Sequence, residues 1–199
     1  MRRRPRILVD AFTRVFGASR ASVAGTMDGA ASAAPAPPLV PLRAVVQGPL
    51  VWRRDRPFGR SWSLVAGDRV AGWLRATGWR RFEGATAEGG WKLEHDWRHV
   101  VRAVGDRATQ PTVTYRPGFW RGGKVERRDG ERLVWRVVGL GRWRIETEDG
   151  RRLVDATPTG FWRPDLALEV HEAARDLNDL AALLLLPAVL VGLARRRRH

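Results

Sequence analysis

The sequence contains no cysteine, and this absence excludes disulfides, thiol nucleophiles and thiolate metal sites. It has a single tyrosine, Tyr115, and no P-loop, GxSxG nucleophile elbow or GxGxxG dinucleotide fingerprint. The sequence therefore contains no recognisable motif for a catalytic site. We predict a protein that is not an enzyme and that holds no cofactor or metal.

Acidic residues and lysines are also scarce. The 199 residues include 36 Lys+Arg against 21 Asp+Glu, a formal net charge of +15. The basic residues are nearly all arginine, since the only lysines are Lys92 and Lys124. A positive field of this size favours anionic partners, either nucleic acid or acidic lipid headgroups. Charge alone does not choose between them.

The first 41 residues lack the pattern of a folded domain. An Arg-rich start and a short apolar patch from Ile7 to Phe16 precede a stretch rich in Ala, Ser, Gly and Pro. Asp10 and Arg14 interrupt the patch, whereas a signal peptide needs an unbroken apolar region of roughly 7–15 residues. We predict a flexible tail over residues 1–41 and one domain over residues 42–199 of a cytoplasmic protein.

Short alternating apolar and polar runs fill the sequence from Leu42 to His171, which is typical of an antiparallel all-β domain. Turn signals stand at Ala66-Gly67-Asp68, Arg128-Asp129-Gly130 and Glu148-Asp149-Gly150, where glycine supplies a positive φ. The spacing predicts about twelve strands.

Two patterns recur within this region. Gly-Phe-Trp-Arg occurs at residues 118–121 and again at 160–163. A tryptophan followed two places later by an aliphatic residue occurs at Trp62/Leu64, Trp91/Leu93, Trp135/Val137 and Trp143/Ile145. Residues two apart face the same side of a strand, so we predict a repeated strand module with tryptophans inward and arginines outward.

The most apolar segment, Leu180–Ala194, contains no charged residue. As a helix it spans roughly 22 Å, less than the roughly 30 Å hydrocarbon core of a bilayer. We interpret it as part of a helix over residues 173–194 that fills a closed barrel too wide for side chains alone. The alternative is a tail anchor held by Arg195–Arg198 on the cytoplasmic side.

These features together resemble the tubby C-terminal-like group, which includes tubby proteins, phospholipid scramblases and the plant LURP-one-related proteins. The resemblance rests on the repeated WxL and WxI strands, the hairpin Gly141–Ala156, the strand Leu166–Glu172 and the apolar C-terminal helix. It implies a closed antiparallel barrel of twelve strands around that helix. It also implies a role at membranes, since tubby members bind phosphoinositides and scramblases act on phospholipids.

One short segment has the spacing of a metal site. His95 and His99 stand four residues apart, as zinc ligands do on a helix, with Asp96 in the place of a catalytic glutamate and His171 as a conceivable third ligand. However, Trp91, Leu93, Trp97 and Val101 fit a strand equally well. We therefore predict no metal here.

We predict a non-enzymatic module, peripheral to the membrane, that binds anionic phospholipid through surface arginines, because guanidinium groups bind phosphates bidentately. The candidate residues are Arg53, Arg54, Arg80, Arg81, Arg127, Arg128, Arg151 and Arg152. The alternatives are a tail-anchored protein displaying a β domain and a nucleic-acid-binding protein, since arginines beside aromatic rings also suit nucleic acid.

Overall fold

The computed structural model describes residues 38–55, 59–118, 122–139, 141–159 and 165–196. These residues form a closed barrel of twelve antiparallel strands, as the sequence predicts. Each strand pairs with its neighbours in the chain, and the pairing of the first strand with the last closes the barrel.

The twelve strands are β1 Leu50–Arg54, β2 Ser61–Ala66, β3 Arg69–Ala76, β4 Arg81–Thr86, β5 Gly89–His95, β6 Val101–Gly105, β7 Val113–Pro117, β8 Gly123–Arg127, β9 Arg132–Gly139, β10 Arg142–Thr147, β11 Arg152–Thr159 and β12 Asp165–Val170. A 3₁₀ turn, Leu42–Ala44, precedes them, and the helices α1, Glu172–Arg175, and α2, Leu180–Arg196, follow.

Consecutive strands run in opposite directions, so the loops that connect them alternate between the two ends of the barrel. We call the end at which α2 begins the proximal end; it carries the turns of residues 67–68, 87–88, 128–131 and 148–151. The distal end, towards which α2 runs, carries the loops of residues 77–80 and 96–100.

Helix α2 is the core of the barrel. Leu183, Leu184, Leu185 and Leu186 are completely buried, and the indole Nε1–H of Trp52 donates a hydrogen bond of 2.9 Å to the carbonyl oxygen of Leu184. The segment Leu180–Ala194 is therefore the buried helix of the first interpretation rather than a tail anchor. Within the described ranges, no helix is both long enough and apolar enough to span a membrane.

The predicted single helix over residues 173–194 is two helices. Residues 176–179 separate α1 from α2. The chain must turn here, because β12 lies in the barrel wall whereas α2 runs inside the barrel. Asp179 fixes the start of α2 through a buried ion pair with Arg127.

The predicted orientation of the tryptophan strands is largely confirmed. Trp62, Leu64, Trp91 and Leu93 are buried, as are Trp135 and Ile145. Val137 is an exception, with 38% of its surface exposed near the distal end of β9. The two Gly-Phe-Trp-Arg copies lie outside the described residues, apart from Gly118.

The three predicted hairpin turns are also confirmed. Gly67, Gly130 and Gly150 adopt φ values of 64°, 90° and 88°, which favour glycine. The predicted tail lies outside the described residues up to residue 37. The predicted boundary after residue 41 stays a prediction, although the N–H of Val40 already donates a 3.0 Å hydrogen bond to the carbonyl oxygen of Val70.

Gly84 allows α2 to pack closely against β4. A Cβ at this position would lie 2.7 Å from the carbonyl oxygen of Trp73 and 3.2 Å from Cδ2 of Leu185. Gly84→Ala is therefore expected to lower the free energy of unfolding by about 1–3 kcal/mol, because the added Cβ would overlap the Trp73 carbonyl oxygen of β3 and press against Leu185 of α2. Urea denaturation measures this change. Gly48→Ala is the control, since its Cβ would meet only Val45 O at 3.6 Å; equal losses in both variants would contradict the close packing.

Candidate functional site

The structure divides the eight candidate arginines between the two ends of the barrel. Arg53, Arg54, Arg80 and Arg81 lie at the distal end, where β1 ends and β4 begins. Arg127, Arg128, Arg151 and Arg152 lie at the proximal end. The barrel wall between them consists of strands of five to eight residues, about 16–26 Å long. A flat membrane can therefore meet one group or the other.

The guanidinium group of Arg127 is engaged in ion pairs within the fold. Its side chain is 9% exposed, and its Nε and Nη2 donate hydrogen bonds of 2.7 and 2.9 Å to the two carboxylate oxygens of Asp179. Asp129 and Glu131 complete its partners. Burial acts to lower the pKa of Arg127, but the hydrogen bonds and charges of these carboxylates raise the pKa above its usual value. This arginine anchors the start of α2.

Two exposed tryptophans distinguish the distal end. Trp79 lies in the loop of residues 77–80 and is 73% exposed, and Trp97 lies in the loop of residues 96–100 and is 66% exposed. The backbone joins the two loops, because the N–H of His95 donates a 2.9 Å hydrogen bond to the carbonyl oxygen of Arg80. The two indoles therefore stand on neighbouring loops above the β4–β5 pair.

The sequence pattern placed these rings incorrectly. Strand alternation predicts that Trp97 faces inward with Trp91 and Leu93. In Trp79-Arg80-Arg81-Phe82 the same alternation predicts rings inward and arginines outward. Both rings lie beyond the ends of their strands, where alternation no longer applies. The turn-forming residues before them, Gly78 and Asp96, were the available signal.

Asp96 holds the loop that presents Trp97. Its Oδ1 accepts hydrogen bonds from the N–H groups of Arg98 and Val100 at 2.9 and 3.0 Å, and its Oδ2 pairs with Arg102 at 3.2 Å. Burial acts to raise the pKa of Asp96, but these hydrogen bonds and the charge of Arg102 outweigh it and lower the pKa. The ionised carboxylate therefore stabilises the loop.

His95 and His99 do not lie one turn apart on a helix, the arrangement that zinc ligands at this spacing require. His95 ends β5, and His99 lies in the following turn with a φ of 65°. The two imidazoles nevertheless stack, with His95 Nε2 3.0 Å from His99 Nδ1. His171 follows β12 at the proximal end, so it cannot be a third ligand. The helical interpretation is wrong because the hydrogen bonds of Asp96 close a turn instead.

A second cluster lies on the outer wall near the proximal end. Ligand atoms of Asp155, Glu169 and His171 lie within 4.8 Å of one another. Arg144 Nε and His171 Nε2 already bind the two carboxylate oxygens of Asp155, at 2.7 and 2.8 Å. Burial acts to raise the pKa of Asp155, but these partners lower it. Asp155 is thus the centre of an ion-pair network in which Arg144 neutralises one of the two carboxylates.

The distal arginines differ in the contacts that their side chains make with aromatic rings and carboxylates. Arg54 lies over the Trp62 ring, with its Cζ 5.4 Å from the ring centroid, and Arg81 pairs with Glu94 at 3.5 Å. Arg53, Arg80 and Arg98 are exposed, and no ion pair of theirs occurs within the described part of the chain. Arg98 lies over the Trp97 ring at 4.6 Å.

This end of the barrel can therefore offer indole rings and guanidinium groups to the same surface. The described residues include five exposed large apolar side chains, and all except Trp73 lie towards the distal end: Trp79, Trp97, Val137 and Val138. No family model, curated protein or solved structure matches the chain. Function is therefore inferred from the chain's own geometry and charge.

Proposed function

We propose that the protein is a non-enzymatic module that binds the surface of anionic membranes through the distal end of its barrel. The observation that carries the proposal is the pair of exposed indoles, Trp79 and Trp97, on neighbouring loops beside Arg80 and Arg98.

The physical chemistry of the two residue types suits a lipid surface. Tryptophan is enriched where membrane meets water, because its ring is apolar and its N–H needs a polar partner. Lipid phosphates accept paired hydrogen bonds from a guanidinium group. Each arginine near an anionic surface contributes about 1 kcal/mol, which falls with added salt.

We propose a smaller set of contact arginines than the eight that the sequence suggests. Arg53 and Arg81 remain with Arg80 as proposed contacts, and Arg98 joins them. Arg54 is placed against Trp62 and Arg127 against Asp179, so both serve the fold first. Arg128, Arg151 and Arg152 lie at the opposite end and do not belong to this surface.

The resemblance to the tubby C-terminal-like group supports the same proposal. A twelve-stranded barrel around a C-terminal helix is the architecture that the resemblance implies. A membrane role is what it implies for function. We infer membership of that group from the architecture together with the strand pattern.

The test is co-sedimentation with vesicles of phosphatidylcholine alone and with one third phosphatidylserine. The full chain is expected to pellet with the acidic vesicles, less so at high salt. Arg80→Gln/Arg98→Gln is expected to weaken binding about 30-fold, because each lost arginine removes about 1 kcal/mol. Trp79→Ser/Trp97→Ser is expected to reduce binding to both kinds of vesicle.

Two matched variants serve as controls. Trp73→Ser removes the exposed tryptophan on the barrel wall, and Arg151→Gln/Arg152→Gln removes two arginines at the proximal end. Both are expected to bind as the unchanged protein does. Equal, weak pelleting with and without acidic lipid would refute the proposal. So would binding to a single-stranded oligonucleotide, with a steep salt dependence, in the absence of vesicle binding.

A further inference from the structure

Helix α2 reaches the distal end of the barrel in its last turns. A Cβ on Gly192 would lie 3.7 Å from Cζ2 of Trp62, and Trp62 is the second residue of β2, directly after the distal connection from β1. Leu183–Leu186 are completely buried, whereas Leu193 is only partly buried. The helix therefore leaves the core near Gly192, and residues 193–196 extend it by about 6 Å, at a rise of about 1.5 Å per residue.

A run of four arginines, Arg195–Arg198, stands at this end of α2. The backbone of the first two forms the end of the helix, and the other two follow directly in the chain. No aspartate or glutamate occurs within residues 180–199. The local sequence therefore offers these arginines no acidic partner, and the direction of α2 carries the run towards the distal side of the barrel.

The exposed indoles of Trp79 and Trp97 belong to the same end. They lie on the connections between strands, whereas α2 ends inside the ring that these connections form. Guanidinium groups hold lipid phosphates, and tryptophan rings occupy the boundary between headgroups and acyl chains. The distal end therefore brings both residue types to the same membrane surface.

Ionisable side chains are divided unequally between the two ends of the barrel. The proximal connections, including the segment from β12 to α2, are residues 67–68, 87–88, 106–112, 128–131, 148–151 and 171–179. They contain ten carboxylates and four guanidinium groups. The described residues of the distal connections contain two carboxylates, Asp55 and Asp96, and three guanidinium groups, Arg60, Arg80 and Arg98. The end of α2 adds further positive charge on the distal side.

This distribution separates charge along the axis of the barrel. An anionic surface attracts the distal end and repels the proximal end, so its field orients the protein before contact. Added salt weakens this attraction, because exposed charges are screened over about 8 Å at physiological ionic strength. With the distal end on the membrane, α2 points at the lipid headgroups and brings Arg195–Arg198 to them.

We propose that Arg195–Arg198 form the principal contact with anionic phospholipid and that the barrel stands end-on, with α2 directed at the membrane. Trp79 and Trp97 lie beside this contact, and the proximal end faces away from the lipid. Because this inference rests on the proposed function, its test must separate the loss of this one contact from the absence of membrane binding altogether.

Co-sedimentation with the same two kinds of vesicle tests the contact. Arg195→Gln/Arg196→Gln/Arg197→Gln/Arg198→Gln is expected to weaken binding to acidic vesicles more than about 100-fold, since each arginine at an anionic surface contributes about fivefold. Arg197→Gln/Arg198→Gln changes only residues beyond the end of α2 and is expected to weaken binding about 30-fold. A cooperative thermal melt of each variant confirms that the barrel is intact.

The control is Arg69→Gln/Arg128→Gln/Arg151→Gln/Arg152→Gln, which removes the same charge from four exposed arginines at the proximal end. It is expected to bind within about threefold of the unchanged protein. The barrel wall of about 16–26 Å holds these residues farther from the lipid than the screening length of about 8 Å.

Fluorescent labels test the end-on orientation. Because the chain contains no cysteine, one introduced cysteine carries a single environment-sensitive label such as NBD. The label on His199→Cys is expected to shift its emission to shorter wavelength with acidic vesicles, because this residue directly follows the arginine run. The label on Asp68→Cys, in an exposed proximal turn, is expected to keep its emission unchanged.

Equal weakening in the two quadruple variants would overturn the proposal, because general charge attraction would then account for binding. A label on Asp68→Cys that shifts as far as the label on His199→Cys would overturn the end-on orientation. If the unchanged protein and the distal quadruple variant pellet equally well with acidic vesicles, the role of Arg195–Arg198 is refuted and the proposed function stands. If the unchanged protein does not pellet, both are refuted.

Discussion

Deleting residues 178–199 is expected to unfold the barrel. The deletion removes all of α2, whose leucines at 183–186 are completely buried. Each large apolar side chain taken from a core costs about 2–5 kcal/mol. Their sum exceeds the whole stability of an ordinary domain, about 5–15 kcal/mol. Among the described residues, the side chains of α2 and the inward side chains of the strands form one core cluster, so removal of α2 would leave an interior that collapses or fills with water.

Circular dichroism and one-dimensional NMR of the purified chain measure this outcome. Deleting residues 197–199 alone is the control, since it leaves every described residue of α2 in place. Leu184→Ala gives a graded version, with an expected loss of about 2–5 kcal/mol by urea denaturation. A shortened chain that keeps its dispersed spectrum and melts cooperatively would show that α2 is not the core.

Arg127→Met is expected to lower the free energy of unfolding by about 3–5 kcal/mol, because it leaves a buried carboxylate without its partner. Asp179 is 8% exposed on its side chain and receives two hydrogen bonds from Arg127. The loss is concentrated at the start of α2. Hydrogen exchange at the amides of Leu183 and its neighbours is expected to speed up more than exchange in the strands.

Arg128→Met is the matched control, since it removes the neighbouring arginine, which is exposed. It is expected to change stability by less than about 0.5 kcal/mol. Asp179→Asn added to Arg127→Met is expected to recover part of the loss, because it removes the unpaired charge. Additive losses in that double variant would contradict a direct interaction between the two residues.

The barrel strands were predictable because their signals are local. Alternation of period two placed Trp62 and Leu64 inward, and glycine at residues 67, 130 and 150 marked the turns. The unbroken apolar surface of Leu180–Ala194 required burial on every side, and its length was too short for a bilayer. From the sequence, these facts favoured a buried helix but left an anchor open.

The candidate site was predictable only in residue type. The sequence showed that arginines were available, but their separation into two ends follows from which strand ends meet when the barrel closes. Arg127 was counted as a surface contact because its partner, Asp179, lies 52 residues away. Trp79 and Trp97 were placed inward because a strand pattern was extended past the strand ends.

The sequence by itself determined an all-β domain of about twelve strands, a strongly basic surface and an apolar helix in need of enclosure. Only the tertiary structure decided that α2 fills the barrel and that Trp79 and Trp97 share the distal end. The physical reason is the separation in sequence between the residues that interact. Periodicity and turn chemistry act between neighbouring residues, whereas enclosure, ion pairing and cavities depend on contacts formed only when β1 meets β12.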